Sequence, residues 1–74
     1  MSEPKKEPIK LTEKEVPELA PKDNATEGTC CCYWKQTWTG WEKIRCTDEF
    51  GSEDECRRNT PGGADAYSWS PYSC

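Results

Sequence analysis

Histidine is absent from this chain of 74 residues, and phenylalanine and methionine occur once each. The aliphatic side chains are nearly as scarce: together with Phe50 they are Ile9, Leu11, Val16, Leu19 and Ile44. A chain this poor in large apolar groups cannot bury a conventional core, and small domains bury a smaller share of their surface to begin with. No apolar run is long enough to cross a bilayer. There is no basic excess either. The net charge of −4 argues against a nucleic-acid surface, which needs a basic face to displace phosphate counterions, and against a cationic membrane-active helix. The opening stretch MSEPKKEPIKL holds no apolar h-region, so it does not read as a secretory signal peptide. Without histidine a nucleophilic cysteine lacks its usual base, and no catalytic residue is assigned.

What the chain has instead is six cysteines and eight aromatic rings, all of them after Gly28. Residues 1–28 carry Pro4, Pro8, Pro17 and Pro21, a mixture of lysines and acids, and no cysteine or aromatic residue. The break divides the chain into residues 1–28, expected to be mostly disordered because they have little to bury, and a Cys/Trp-rich crosslinked core over residues 29–74. Within the first part, KLTEKEVPEL is less bland. Thr12 and Glu15 have capping-box spacing, Pro17 limits the helix that can follow, and Leu11, Val16 and Leu19 form a sparse apolar stripe suited to docking on a partner.

The core reads as a small disulfide-rich, or otherwise Cys-crosslinked, α+β unit. CYWKQTWTGWEKIRC favours strands and predicts a β-hairpin over about 33–46, with Thr39-Gly40 as its two-residue loop. That register sets Trp38 against Trp41 and Trp34 against Arg45, and lets Arg45 lie over the Trp34 ring. Helical spacing of Trp34, Trp38 and Trp41 is the rival pattern, disfavoured because Gly40 would fall inside the helix. Ser52 and Glu55 make a second capping box. With acids in the first turn and Arg57 and Arg58 in the last, they predict a short helix over about 53–58. ADAYSWSPYSC reads as a C-terminal extended segment able to add a strand.

The cysteines are Cys30, Cys31, Cys32, Cys46, Cys56 and Cys74. If no bond forms within the triplet, each of its thiols takes a downstream partner, which leaves six pairings open. The triplet then gathers distant parts of the chain at one point. Structural zinc favours C-x₂₋₄-C pairs, which this spacing does not supply, so no metal ligand or cofactor is assigned. The rings of Tyr33, Trp34, Trp38, Trp41, Tyr67, Trp69 and Tyr72 form either the core itself or an exposed aromatic face.

In organisation, a polar leader-like half followed by a Cys-, Ser-, Thr- and Trp-rich half resembles the precursor of a ribosomally synthesised, post-translationally modified peptide. The segment CTDEFGSEDEC is loosely similar to the C-T-x-[ST]-x-E-C element of mersacidin-like lanthipeptides, with four residues added. The resemblance implies a leader whose Leu11, Val16 and Leu19 are read by a modifying enzyme and an exporter, cleavage near Gly28-Thr29, and a core exported from the cytoplasm as an antimicrobial or toxin-like product. A different class is a disulfide-stapled protein-binding module using the aromatic face. A third is a cytosolic metal-thiolate protein.

Overall fold

The computed structural model describes residues 8–20 and 26–74. Four strands form one sheet: β1 (Ile9–Lys10), β2 (Glu27–Thr37), β3 (Gly40–Thr47) and β4 (Ala66–Tyr72). Their spatial order is β1-β4-β2-β3. β1 runs parallel to β4, and β2 is antiparallel to both of its neighbours. One helix, α1 (Glu53–Arg58), and a 3-10 turn at Pro17–Leu19 complete the described elements. This is a small α+β fold made mostly of strand and crosslinked by three disulfides.

The central strand organises everything else. Successive side chains of a strand point to opposite faces. On β2, Cys30, Cys32 and Trp34 join Leu11, Val16 and Ala66 in one buried cluster. Cys31 and Tyr33 point the other way and join Cys56 and Tyr67 in a second. Residues 11–19 cover the first face, and α1 with the Phe50 loop covers the second. The sheet is therefore the middle of three layers, and each outer layer supplies very little apolar area.

Residues 33–46 do not stand alone as a hairpin. β2 pairs along both edges, and the link to β3 turns through Trp38-Thr39, with Thr37 opposite Gly40, Gln36 opposite Trp41 and Trp34 opposite Lys43. The expected loop at Thr39-Gly40 is displaced by one residue. Gly40 instead opens β3 with φ of 134°, a conformation that side chains with a Cβ adopt only under strain. A register shift between Tyr33 and Trp34 then brings Cys32 opposite Cys46. Lys43, not Arg45, consequently lies over the Trp34 ring, 5.5 Å from its centroid.

α1 spans the residues its signals predict. Ser52 Oγ accepts from the Glu55 backbone N–H at 3.3 Å, while the Glu55 carboxylate accepts from Gly51 N–H at 3.3 Å. Asp54 pairs with both Arg57 and Arg58 across one turn. The predicted C-terminal segment is β4, which pairs with β2 and β1.

The expectation of disorder through residue 28 does not hold for the described part. Leu11 and Val16 are buried in the core, Leu19 packs against the same cluster, and the Leu11 N–H donates to Tyr67 O at 2.9 Å. Composition counts apolar groups but does not reveal that the few present converge on one ring. The Thr12–Glu15 box forms, with the Glu15 carboxylate accepting from the Thr12 N–H at 2.8 Å and from the Thr12 hydroxyl. Residues 1–7 and 21–25 of the leader-like segment lie outside the described residues.

Candidate functional site

Two features stand out against this scaffold: the sulfur hub on β2 and the tip of the β2–β3 connection.

The hub is a direct product of strand alternation. Cys31 crosses to Cys56 on α1, on one face of the sheet. Cys30 and Cys32 point to the other face and bond Cys74 and Cys46. Cys32 and Cys46 sit directly opposite one another on the antiparallel ladder, with their Cα atoms 4.0 Å apart. No cysteine among them is free. The Sγ atoms of Cys30 and Cys32 touch at 3.6 Å. Both carry a disulfide partner and no proton, so this is a van der Waals contact. The Sγ atoms of Cys30, Cys32 and Cys46 all lie within 4.8 Å of one another, but as disulfides they offer no thiolate to a metal.

Beside the hub, Gly28 approaches Ser73 so closely that a Cβ there would stand 3.0 Å from Ser73 Cβ. The Ser73 N–H donates to Thr26 O at 2.9 Å. Glycine at position 28 thus lets the chain pass close enough for Cys74 to reach Cys30. The cut expected near Gly28-Thr29 would fall inside β2.

The aromatic residues separate into two roles. Trp34 is 1% exposed, and its indole N–H donates to Ser68 Oγ at 2.9 Å. Tyr33 and Tyr67 are buried on the α1 face, where the Tyr33 hydroxyl donates to Cys56 O at 3.0 Å. Trp41 packs against the Trp34 cluster and Trp69 against the Tyr67 cluster. Tyr72 lines an open cleft of about 250 Å³ together with Leu11, Leu19 and Trp69. These six rings are core or core-flanking. Trp38 alone differs, at 97% exposed.

Its exposure is built in. Thr37 Oγ1 donates to Gly40 O at 3.0 Å and accepts from the Thr39 N–H at 3.3 Å, and the two threonine hydroxyls lie 3.1 Å apart. Asp65 steadies the base of the turn: its carboxylate accepts from the Gln36 N–H at 3.0 Å, and its own N–H donates to Trp34 O at 2.8 Å. Thr37 and Asp65 were not legible as supporting residues. Both act through backbone atoms across a register that local sequence does not specify.

Burial raises the Tyr33 and Tyr67 hydroxyls above the ordinary tyrosine value of 10.0. A group with a raised folded-state pKa contributes stability that is fully present below its unfolded value and lost as pH climbs through the folded one. Between those values the unfolded chain binds fewer protons. Denaturant midpoints are therefore expected to be flat toward neutrality and to fall as pH rises past 10.0. Tyr67→Phe should remove part of that fall, as midpoints measured on both chains across the alkaline range will show. Lys10 forms an ion pair with Glu53 that ties β1 to α1, and the hydrogen bond its ammonium donates to that carboxylate raises the lysine pKa. Lys43 is held over Trp34 by Glu18 at 3.3 Å.

Comparison with protein-family models, with curated proteins and with solved structures returns no match for this chain.

Proposed function

We propose that this chain is a disulfide-stapled protein-binding module that works in an oxidising compartment and engages its partner through the Trp38 tip. The observation that carries the reading is the exposure of Trp38 on an ordered turn, while the other three tryptophans serve the core. Tryptophan is the residue most enriched at binding hot spots. A ring presented by a preorganised turn loses little further freedom on docking. The three disulfides favour an oxidising compartment and weigh against a metal-thiolate role.

A photoreactive residue at position 38, introduced in the cells that make the protein, tests the reading. It should crosslink a defined protein partner, whereas the same residue at Asn59, on the α1 end, should not. Equal or absent crosslinking at both positions overturns the proposal. Trp38→Ala is expected to change folding stability by no more than about 0.5 kcal/mol, read from thermal or urea unfolding, and to compete poorly with the wild-type chain for that partner.

The precursor of an exported antimicrobial or toxin-like peptide is the competing reading, supported by the composition break near residue 28 and the cysteine load. The packing of Leu11 and Val16 over Trp34 weighs against it, because removing residues 1–28 would strip that cover. Intact mass of the protein from its own cell separates the two. A full-length chain lighter by six hydrogens fits the binding module, while a shortened or dehydrated chain fits the precursor.

A further inference from the structure

The three disulfides differ in how an outside reagent can reach them. Cys31 and Cys56 are both 0% exposed, sealed between the sheet and α1. Cys32 is buried and Cys46 half-buried. In the Cys30–Cys74 bond one partner is buried and the other, Cys74, lies on the surface beyond the end of β4. The most accessible bond is therefore the one whose inner sulfur, Cys30 Sγ, touches the sulfur of a second bond at 3.6 Å. The strand enforces this proximity: positions 30 and 32 share a face, and position 32 faces position 46 across the ladder.

We propose that Cys30, Cys32 and Cys46 form a thiol–disulfide exchange centre that is entered at Cys74 by an external thiol acting as the initiating nucleophile. In the first step an external thiolate attacks Cys74 Sγ. The Cys30–Cys74 bond breaks, a mixed disulfide forms at Cys74, and Cys30 departs as the thiolate. In the second, the Cys30 thiolate attacks the neighbouring Cys32–Cys46 bond. Attack at Cys46 forms Cys30–Cys46 and expels Cys32 as the thiolate, while attack at Cys32 forms Cys30–Cys32 and expels Cys46. The expelled thiolate can then attack Cys74 and release the external thiol unchanged. Each step makes one sulfur–sulfur bond and breaks one, so the cycle needs no oxidant and consumes no reductant. It converts one pairing of the four sulfurs into another, while the sealed Cys31–Cys56 bond keeps the helix fastened to the sheet.

Sulfur proximity is the requirement for such exchange, and 3.6 Å places the freed thiolate already against its target. Cys31 Sγ cannot join, because it lies on the opposite face of β2. The centre is thus limited to one side of the strand, and that limit is what the test reads.

In Cys74→Ser the Cys30–Cys74 bond is replaced by one thiol. After equilibration at neutral pH, the chain is labelled with an alkylating agent, quenched in acid and digested, and the labelled position is read by mass spectrometry. Label is expected to be distributed over Cys30, Cys32 and Cys46, and to be absent from Cys31 and Cys56. Label confined to Cys30 at all times overturns the proposal. So does label reaching Cys31 and Cys56 to a similar extent, since that is reshuffling of an opened chain. Near-ultraviolet circular dichroism of the variant checks that its aromatic packing is retained. Should Cys74→Ser not fold, the wild-type chain treated with limiting glutathione and trapped in acid gives the same readout. The mixed disulfide is expected on Cys74 with free thiol shared among the other three, and glutathione on Cys46 or Cys30 as the first product overturns the assignment.

Discussion

Replacing Cys31 and Cys56 together by alanine is expected to lower folding stability by about 3–4 kcal/mol. The bond closes a separation of 25 residues, and on the chain-entropy account its loss acts mainly by freeing the unfolded ensemble. For a domain of this size the total stability is on the order of 4–11 kcal/mol, so the change is a large share of the whole. The folded state is weakened as well. α1 has six residues, too few to persist without tertiary support. Without the disulfide its attachment rests on the Tyr33 hydrogen bond to Cys56 O, the Lys10–Glu53 pair and packing around Phe50. Urea unfolding followed by far-ultraviolet circular dichroism should show both a lower midpoint and a steeper dependence on denaturant, the latter because the freed unfolded chain exposes more surface. An unchanged midpoint would contradict the role assigned to this bond.

Trp34→Ala is expected to cost about 3–5 kcal/mol by the opposite route, through the native state. The ring is the most deeply buried of the large side chains in the cluster that the N-terminal segment covers, with Leu11 and Val16 against it and Lys43 over its face. Truncation leaves a cavity in a core too small to collapse around it and removes the donor to Ser68 Oγ, itself buried. Trp34→Phe keeps most of the ring but still orphans that hydroxyl, so it should fall between, at about 1–3 kcal/mol. Two readouts distinguish this mechanism from the disulfide effect. The denaturant dependence should be unchanged, and residues 8–20 should become markedly more sensitive to limited proteolysis once the platform for Leu11 and Val16 is gone. A truncated chain with wild-type midpoint and wild-type protease resistance would show that Trp34 does not hold the segment in place.

The parts of this fold that were legible in the sequence are those governed by neighbours along the chain. Ser52, the acids at 53–55 and the arginines at 57 and 58 describe a helix on their own, and the helix forms at Glu53–Arg58. The strand character of 33–46 likewise rests on Thr, Trp and Tyr content. What escaped local reading is set by partners far away. The turn at Trp38-Thr39 rather than Thr39-Gly40 follows from a strand that must satisfy β4 on its other edge and bring Cys32 against Cys46. Lys43 replaces Arg45 over Trp34 for the same reason. The N-terminal segment was the largest departure, because three aliphatic residues among prolines and charges carry no local signal that they converge on a ring more than a dozen positions away. Among the aromatics, no local feature separates the exposed Trp38 from the buried Trp34, and only the register does so. For the triplet, alternation along the strand cuts the six open pairings to two by sending the middle sulfur to α1 and its neighbours to the opposite side, and the register that sets Cys32 opposite Cys46 selects between them.

That selected pairing also bears on how the chain reaches its native form. The bonds 32–46, 31–56 and 30–74 are nested, with sequence separations of 14, 25 and 44. Loop-closure entropy rises with the length of flexible chain brought together, so the innermost pair is the cheapest to close first. Once it is closed, the second loop has to order only the chain added outside the first, and the third only what lies outside the second. Oxidation proceeding from the turn outward would split one long closure into three short ones, with Cys30–Cys74, the outermost bond, expected to be the last to be made.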